Sequence, residues 1–355
     1  MQGKIIIYGA KSLERYTKNI LKNGFINYGW QTEEGAVGDG KNLGLDIVLY
    51  QIHGAPQAAE DEAIMAMIKA APAEQKAIVL VHRPDEVQTR LPGVVELLSG
   101  LSPNKALAFL GNLHQNDSFY CGIKNRFVVP HGFFDMKDTI QTEPIIIGTH
   151  TTWGEMRSVE HMIKLLAEVF KLDPNNARNI WGYLGGKPKE QLQIDGLKKI
   201  TADNFGALAV NFVDINKNSA RETLQGAANG EHTILVDSEN IEPADFGMTF
   251  NVQMYYLGNA IRTGESSGSL HMSVGVPVIL EMNGSEVIED LNIIRVPYQS
   301  LADINSVDFA AGAQKIISAV DGGGYVNMLQ HNLGQARKFN NTFVAQSYVK
   351  IFEQL

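Results

Sequence analysis

The chain has 355 residues, more than the roughly 250 to 300 that one hydrophobic core usually serves, so two domains are expected. Hydrophobic residues make up 44% and charged residues 19%, enough apolar material for two cores and too little charge for a disordered tail. Thirty Lys and Arg against 39 Asp and Glu leave a formal charge of -9, which repels a phosphate backbone, and with no basic patch to overcome it the expectation is no nucleic-acid partner.

Lys4 to Tyr8 is a short apolar run closed by Gly9, and Ser12 to Lys22 follows as a helix. Lys11, Arg15, Lys18 and Lys22 fall at three-to-four spacing, which fits one solvated helix face; a small-anion or peripheral membrane contact there is the alternative. Asp46 to His53 reads as the next strand and the Ala- and Met-rich Ala59 to Ala71 as the next helix. Lys76 to His82 is an almost unbroken apolar run, as expected of a parallel strand buried on both faces, and Ala106 to Leu110 and Arg126 to Pro130 add two short strands. Alternating strands and helices of this kind predict a doubly wound parallel sheet, in which ligands collect at the carboxyl ends of the strands. The exits that matter are then Tyr8-Gly9, His53-Gly54, His82-Arg83 and Pro130-His131-Gly132.

The polar stretch between Phe133 and Glu143 is read as a linker, after which the order restarts. Ile145 to Gly148 reads as a strand, and Ser158 to Phe170 as an amphipathic helix with Val159, Met162, Ile163, Leu166, Val169 and Phe170 on one side. Strands are predicted at Asn179 to Leu184, Ala207 to Phe212, Thr233 to Val236, Val252 to Tyr256 and Val276 to Leu280, giving a second open α/β sheet. Gly322 to Gly324 reads as a connection, and Gln335 to Leu355 as a closing helix with one apolar side. The domains are accordingly 1–135, a linker at 136–144, 145–334 and the closing helix 335–355, with the ligand site expected in a cleft between the sheets. The single cysteine, Cys121, excludes an intrachain disulfide framework and a Cys-based zinc site and suits a reducing compartment. No stretch approaches the roughly 20 apolar residues of a membrane span, and Met1 to Ile7 lacks the shape of a signal peptide, so a cytoplasmic location is expected.

The most informative stretch runs from Tyr255 to Ile279. Gly264-Glu265-Ser266-Ser267-Gly268-Ser269 leads into a short predicted helix, and Gly275-Val276-Pro277-Val278-Ile279 follows as a strand. Small residues, serine hydroxyls and free backbone N–H groups at a helix start form an anion site suited to a diphosphate. This arrangement resembles the C-terminal domain of retaining glycosyltransferases of the two-Rossmann (GT-B) architecture, the family-4-like group. Val79-Leu80-Val81-His82 resembles the family's apolar strand ending in histidine, Val128 to Gly132 its element before the hinge, Arg157 to Ile163 its helix start, and Phe343 to Leu355 its closing helix.

The resemblance implies two Rossmann-like domains and transfer of a sugar from a UDP- or GDP-linked donor, retaining and without a bound metal or cofactor. It implies an acceptor near the first domain, whether glycan, lipid-linked sugar or protein, and leaves a partner-subunit contact open. His82 and Glu265 are the implied contacts near the transferring carbon. His131, Arg157, Arg262 and the backbone of Ser266, Ser267 and Gly268 are the implied donor-binding groups. The pattern departs from the family at one glutamate, where Leu270 stands in the position of the ribose contact, and Glu265 aligns with the other glutamate only across a gap. Two alternatives therefore stand beside the transferase: a catalytically degenerate binding subunit, and a GT-B epimerase or phosphorylase of sugar phosphates. His53, His82, His131 and His150 show no HxxxH or HExxH spacing, and no metal site is expected.

Overall fold

The computed structural model describes residues 3–37, 47–54, 59–82, 87, 90–91, 93–110, 120, 123–130, 143–153, 159–187, 189–206, 208–216, 231–237, 248–253, 275–280, 292–299, 304–338 and 340–355. They form two compact units. The first holds a six-stranded sheet in the order β2-β1-β3-β4-β5-β6, built of β1 (Lys4–Gly9), β2 (Gln31–Glu34), β3 (Ile47–Ile52), β4 (Ala77–Val81), β5 (Lys105–Leu110) and β6 (Arg126–Val129). Every pairing is parallel. β3, β4 and β5 lie inside the sheet, and β4 and β5 are buried at every position, which is why they read as continuous apolar runs.

The first helix, α1, is continuous but not uniform. It opens as a 3-10 turn at Lys11–Leu13, passes through an α turn at Glu14–Tyr16, widens to a π segment at Thr17–Lys22 and ends as an α segment at Asn23–Asn27. Two of the cations on its basic face are paired: Lys18 with Glu14, and Lys22 with Glu34 at 2.8 Å. Among the described residues α2 (Ala59–Ala70) and α3 (Val94–Ser99) are further helices between the strands of this unit.

Gln335 to Leu355 is not one helix. One helix ends at Lys338, and Asn340 starts another by accepting the N–H of Phe343 at 2.9 Å, an N-cap that satisfies a donor the helix itself leaves open. The new helix, Asn341–Gln354, packs against α1 and touches β4 and β6, so the end of the chain belongs to the first unit. Tyr348 and Phe352 are buried there, Phe25 lies 6.1 Å from Tyr348 ring to ring, and Lys76 donates to the Phe352 carbonyl at 3.3 Å. Burying a side chain of this size contributes about 1.5 to 3 kcal/mol. Gly24 lets the helices meet, because a Cβ there would collide with the carbonyl of Asn341.

The second unit holds a seven-stranded sheet in the order β13-β12-β11-β7-β8-β10-β9. Its strands are β7 (Ile145–Thr152), β8 (Ile180–Lys187), β9 (Val210–Ile215), β10 (His232–Asp237), β11 (Phe250–Gln253), β12 (Val276–Leu280) and β13 (Ile294–Val296), again all parallel. α4 (Val159–Leu172) buries all six of the apolar residues its periodicity singled out. Its solvent side carries the i,i+4 pair Glu160–Lys164. After α4, the Asp173 carboxylate accepts the N–H groups of Ala177 and Arg178 at 3.1 and 3.0 Å, closing the turn into β8. The unit also holds α5 (Ile194–Phe205), α6 (Phe309–Asp321) and α7 (Gly324–Lys338). Gly322 caps α6 and Gly323, at φ +62°, turns the chain into α7, so the glycine run is a helix-to-helix corner.

Candidate functional site

The first sheet reverses its strand order at β1, which has β2 on one side and β3 on the other. In open α/β sheets such a switch point leaves a crevice beyond the carboxyl ends of the strands, where ligands bind. Here those ends are Gly9 on β1 and His53-Gly54 after β3, with His82 following β4 beside them.

These residues are held by a chain of buried polar contacts. Gln51, 0% exposed, donates from Nε2 to the Thr17 hydroxyl at 2.8 Å, and its Oε1 lies 3.1 Å from His82 Nε2. The Gln51 amide crosses directly above β1, where a Cβ on Gly9 would lie 2.7 Å from its nitrogen, so glycine is the residue that leaves it room. His82 is half-buried, with Tyr16 meeting its ring edge-on at 5.0 Å and the His53 ring at 6.3 Å and 85°. His53 is anchored twice: Nδ1 lies 2.7 Å from the Ser12 hydroxyl, and its N–H donates to Asp61 Oδ1 at 2.9 Å. Asp61 also receives the N–H of Gly54 at 2.7 Å, where the chain turns at φ +82°. Burial raises the Asp61 carboxyl above the ordinary aspartate range, and the two backbone donors pull it back.

The result is two imidazoles at a strand-exit edge, both oriented by residues behind them. Such rings can donate to or accept from the hydroxyls of a polar ligand. Sequence reasoning found His82 from its place at the end of an apolar run. It missed Ser12, Thr17, Gln51 and Asp61, whose partners lie 41, 34, 31 and 8 residues away and leave no local spacing to read. Of the other expected site residues, His131, Arg157, Arg262, Glu265, Ser266, Ser267 and Gly268 lie outside the described residues. In the second unit, β12 falls on the predicted Val276 to Leu280, and near the carboxyl end of that sheet Tyr183 donates to the fully buried Asp237 at 3.2 Å. Among the described residues no group of three or more His, Cys, Asp or Glu is placed to hold a metal ion, and no helix is long and apolar enough to cross a membrane.

No protein-family model matches the sequence, and no curated protein matches it either. Solved structures do match over the whole chain. An alpha-glucosyltransferase in complex with UDP and a 13-mer DNA containing a central A:G mismatch gives a TM-score of 0.60 at 10% identity. One in complex with UDP-glucose and DNA containing an abasic site gives 0.56 at 10%, and one with UDP and a 13-mer DNA containing a HMU base gives 0.57 at 11%. Each comparison covers 99% of this chain and 100% of the other. At this identity the likeness is one of fold, and it defines a two-domain α/β architecture of GT-B type with Rossmann-type sheets.

The same complexes correct one expectation. Nucleic acid was excluded on net charge, yet enzymes of this fold bind DNA. A formal -9 is a sum over the whole chain, whereas a phosphate backbone responds to the charges within about a Debye length of it, near 10 Å at 0.1 M salt.

Proposed function

We propose that the chain is a GT-B glycosyltransferase that moves a sugar from a UDP-linked donor to a hydroxyl on DNA. The observation that carries this reading is the likeness of the fold to glucosyltransferases bound to UDP and DNA, which spans 99% of this chain and 100% of the other. The His53 and His82 rings at the switch point of the first sheet support it as a place for sugar hydroxyls. In transfer, the bond from the anomeric carbon to the diphosphate oxygen breaks, a bond to the acceptor oxygen forms, and the acceptor proton passes to the departing phosphate. The barrier falls when positive groups meet the charge that develops on the diphosphate. We assign that part to Arg157, Arg262 and the amides of Ser266 to Gly268, with His131 beside the donor and His82 and Glu265 near the transferring carbon. Retention of configuration through a front-side displacement without metal, and a cytoplasmic location, belong to the same proposal.

The test is to incubate the protein with UDP-glucose and a short duplex carrying a HMU base, with and without EDTA, and to follow UDP release and the mass of the DNA strand. DNA-dependent release with a glucosylated strand is expected, and His82→Ala should slow it by about ten- to a hundredfold, the value of one or two hydrogen bonds to a sugar. The replacement of the ribose-contacting glutamate by Leu270 favours a second reading, a binding subunit without transfer. UDP binding by calorimetry with no turnover on any acceptor would select that reading, and absence of UDP binding would remove both.

A further inference from the structure

The polar chain behind His82 has a direction. Gln51 turns Nε2 to Thr17 and Oε1 to His82. With the Gln51 amide in this orientation its carbonyl oxygen, which can only accept, faces His82 Nε2 at 3.1 Å and is matched by a proton on that nitrogen. In the neutral ring the lone pair then sits on Nδ1, because which nitrogen is protonated follows from the hydrogen bond the other one makes. We infer that Gln51 is a positioning residue that fixes the ring and tautomer of His82 at the carboxyl edge of the first sheet, with the proton on Nε2.

Three further features belong to this arrangement. Gly9 leaves the space in which the Gln51 amide lies. Thr17 begins the π segment of α1, and such widened turns recur at functional sites because they re-aim a side chain. Gln51 is itself fully buried on an inner strand, where an amide is costly unless its polar atoms are bonded, so a residue of purely structural use would be expected to be apolar. Any use of this ring toward a sugar rests on the proposed transferase reading; the tautomer itself does not.

The experiment is an imidazole nitrogen NMR measurement on the full chain labelled with ¹⁵N and free of nucleotide, with the His82 signals assigned from the His82→Asn spectrum. At a pH where the ring is neutral, His82 is expected as a single Nε2–H tautomer. Gln51→Met should lose the single-tautomer pattern, and Gln51→Glu, which keeps an acceptor oxygen, should restore it. If Gln51→Met does not fold, Thr17→Val takes its place and should weaken the bias by releasing the far end of the amide. An Nδ1–H tautomer in the unmodified chain overturns the inference, as does an unchanged Nε2–H pattern in Gln51→Met or, where that variant fails, in Thr17→Val. Because no nucleotide is present, these outcomes are independent of whether the protein transfers sugar.

Discussion

The main-chain carbonyl of Asn341 occupies the place that a side chain on Gly24 would need. Backbone cannot step aside as a flexible side chain can, so Gly24→Ala forces apart α1 and the helix Asn341–Gln354. A cost of about 1 to 3 kcal/mol is expected, the usual range for overpacking a core. Hydrogen exchange should rise in both helices of this variant, with little change in the second unit.

Gly9→Ala differs in kind. Its added methyl meets the end of the Gln51 side chain, which can shift where a backbone carbonyl cannot, but shifting it breaks buried hydrogen bonds to Thr17 and His82, at an expected cost of about 1 to 3 kcal/mol. Displacing that amide frees His82, and sugar transfer should fall by about tenfold or more, since small losses of orientation are costly at a reacting centre. Thermal unfolding and UDP release measured on the same preparation check both halves.

Asp61→Asn keeps one acceptor for two donors, and its amide N–H₂ faces a backbone N–H. One buried N–H thus loses its partner, at a cost of about 1 to 3 kcal/mol. The pH dependence has a defined sign. The folded carboxyl titrates above its ordinary value, so the folded state holds the proton longer, and stability from this group falls as pH rises from about 4 through the folded pKa. Denaturation of the wild type and the variant, followed upward from about the ordinary aspartate pKa towards neutral pH, should show this slope only in the wild type.

His161 on α4 tests the opposite sign. Burial lowers it to about 4, with Lys164 adding to the effect and Glu160 opposing it. Below its ordinary value of 6.5 the unfolded chain takes up the proton first, so stability falls as pH drops from 6.5 towards about 4. His232, also lowered by burial, adds to the same loss. Replacing His161 with Phe, beside Phe309 at 6.3 Å, should remove up to about 3 kcal/mol of that acid-induced loss. Urea midpoints at pH 7 and pH 4.5, about the two ends of the window, provide the measurement.

The inner strands were legible because burial on both faces leaves an unbroken apolar run, as in Ala77–Val81 and Val276–Leu280. β2 was not, since Gln31–Glu34 is a largely exposed edge strand with no apolar residue. β7 runs on to Thr152, past the predicted end at Gly148, because ladder bonds to β8 carry polar residues as readily as apolar ones. The break at Asn340 was hidden because apolar residues continue on both sides; an asparagine three residues before Phe343 was the local sign of a cap. At the site, a histidine at a strand end could be found from order alone. Its support could not, since Gln51 sits in a strand that reads as apolar and Thr17 in a helix that reads as uniform.

The return of the Asn341–Gln354 helix to the first sheet has a consequence for synthesis. Asn27 meets Asn341 across 314 positions of sequence, so on the ribosome the earliest strands emerge long before the surface that covers α1 exists. The second unit, lying between them in the chain, can complete its core first, and the half that is translated first is the half that finishes last.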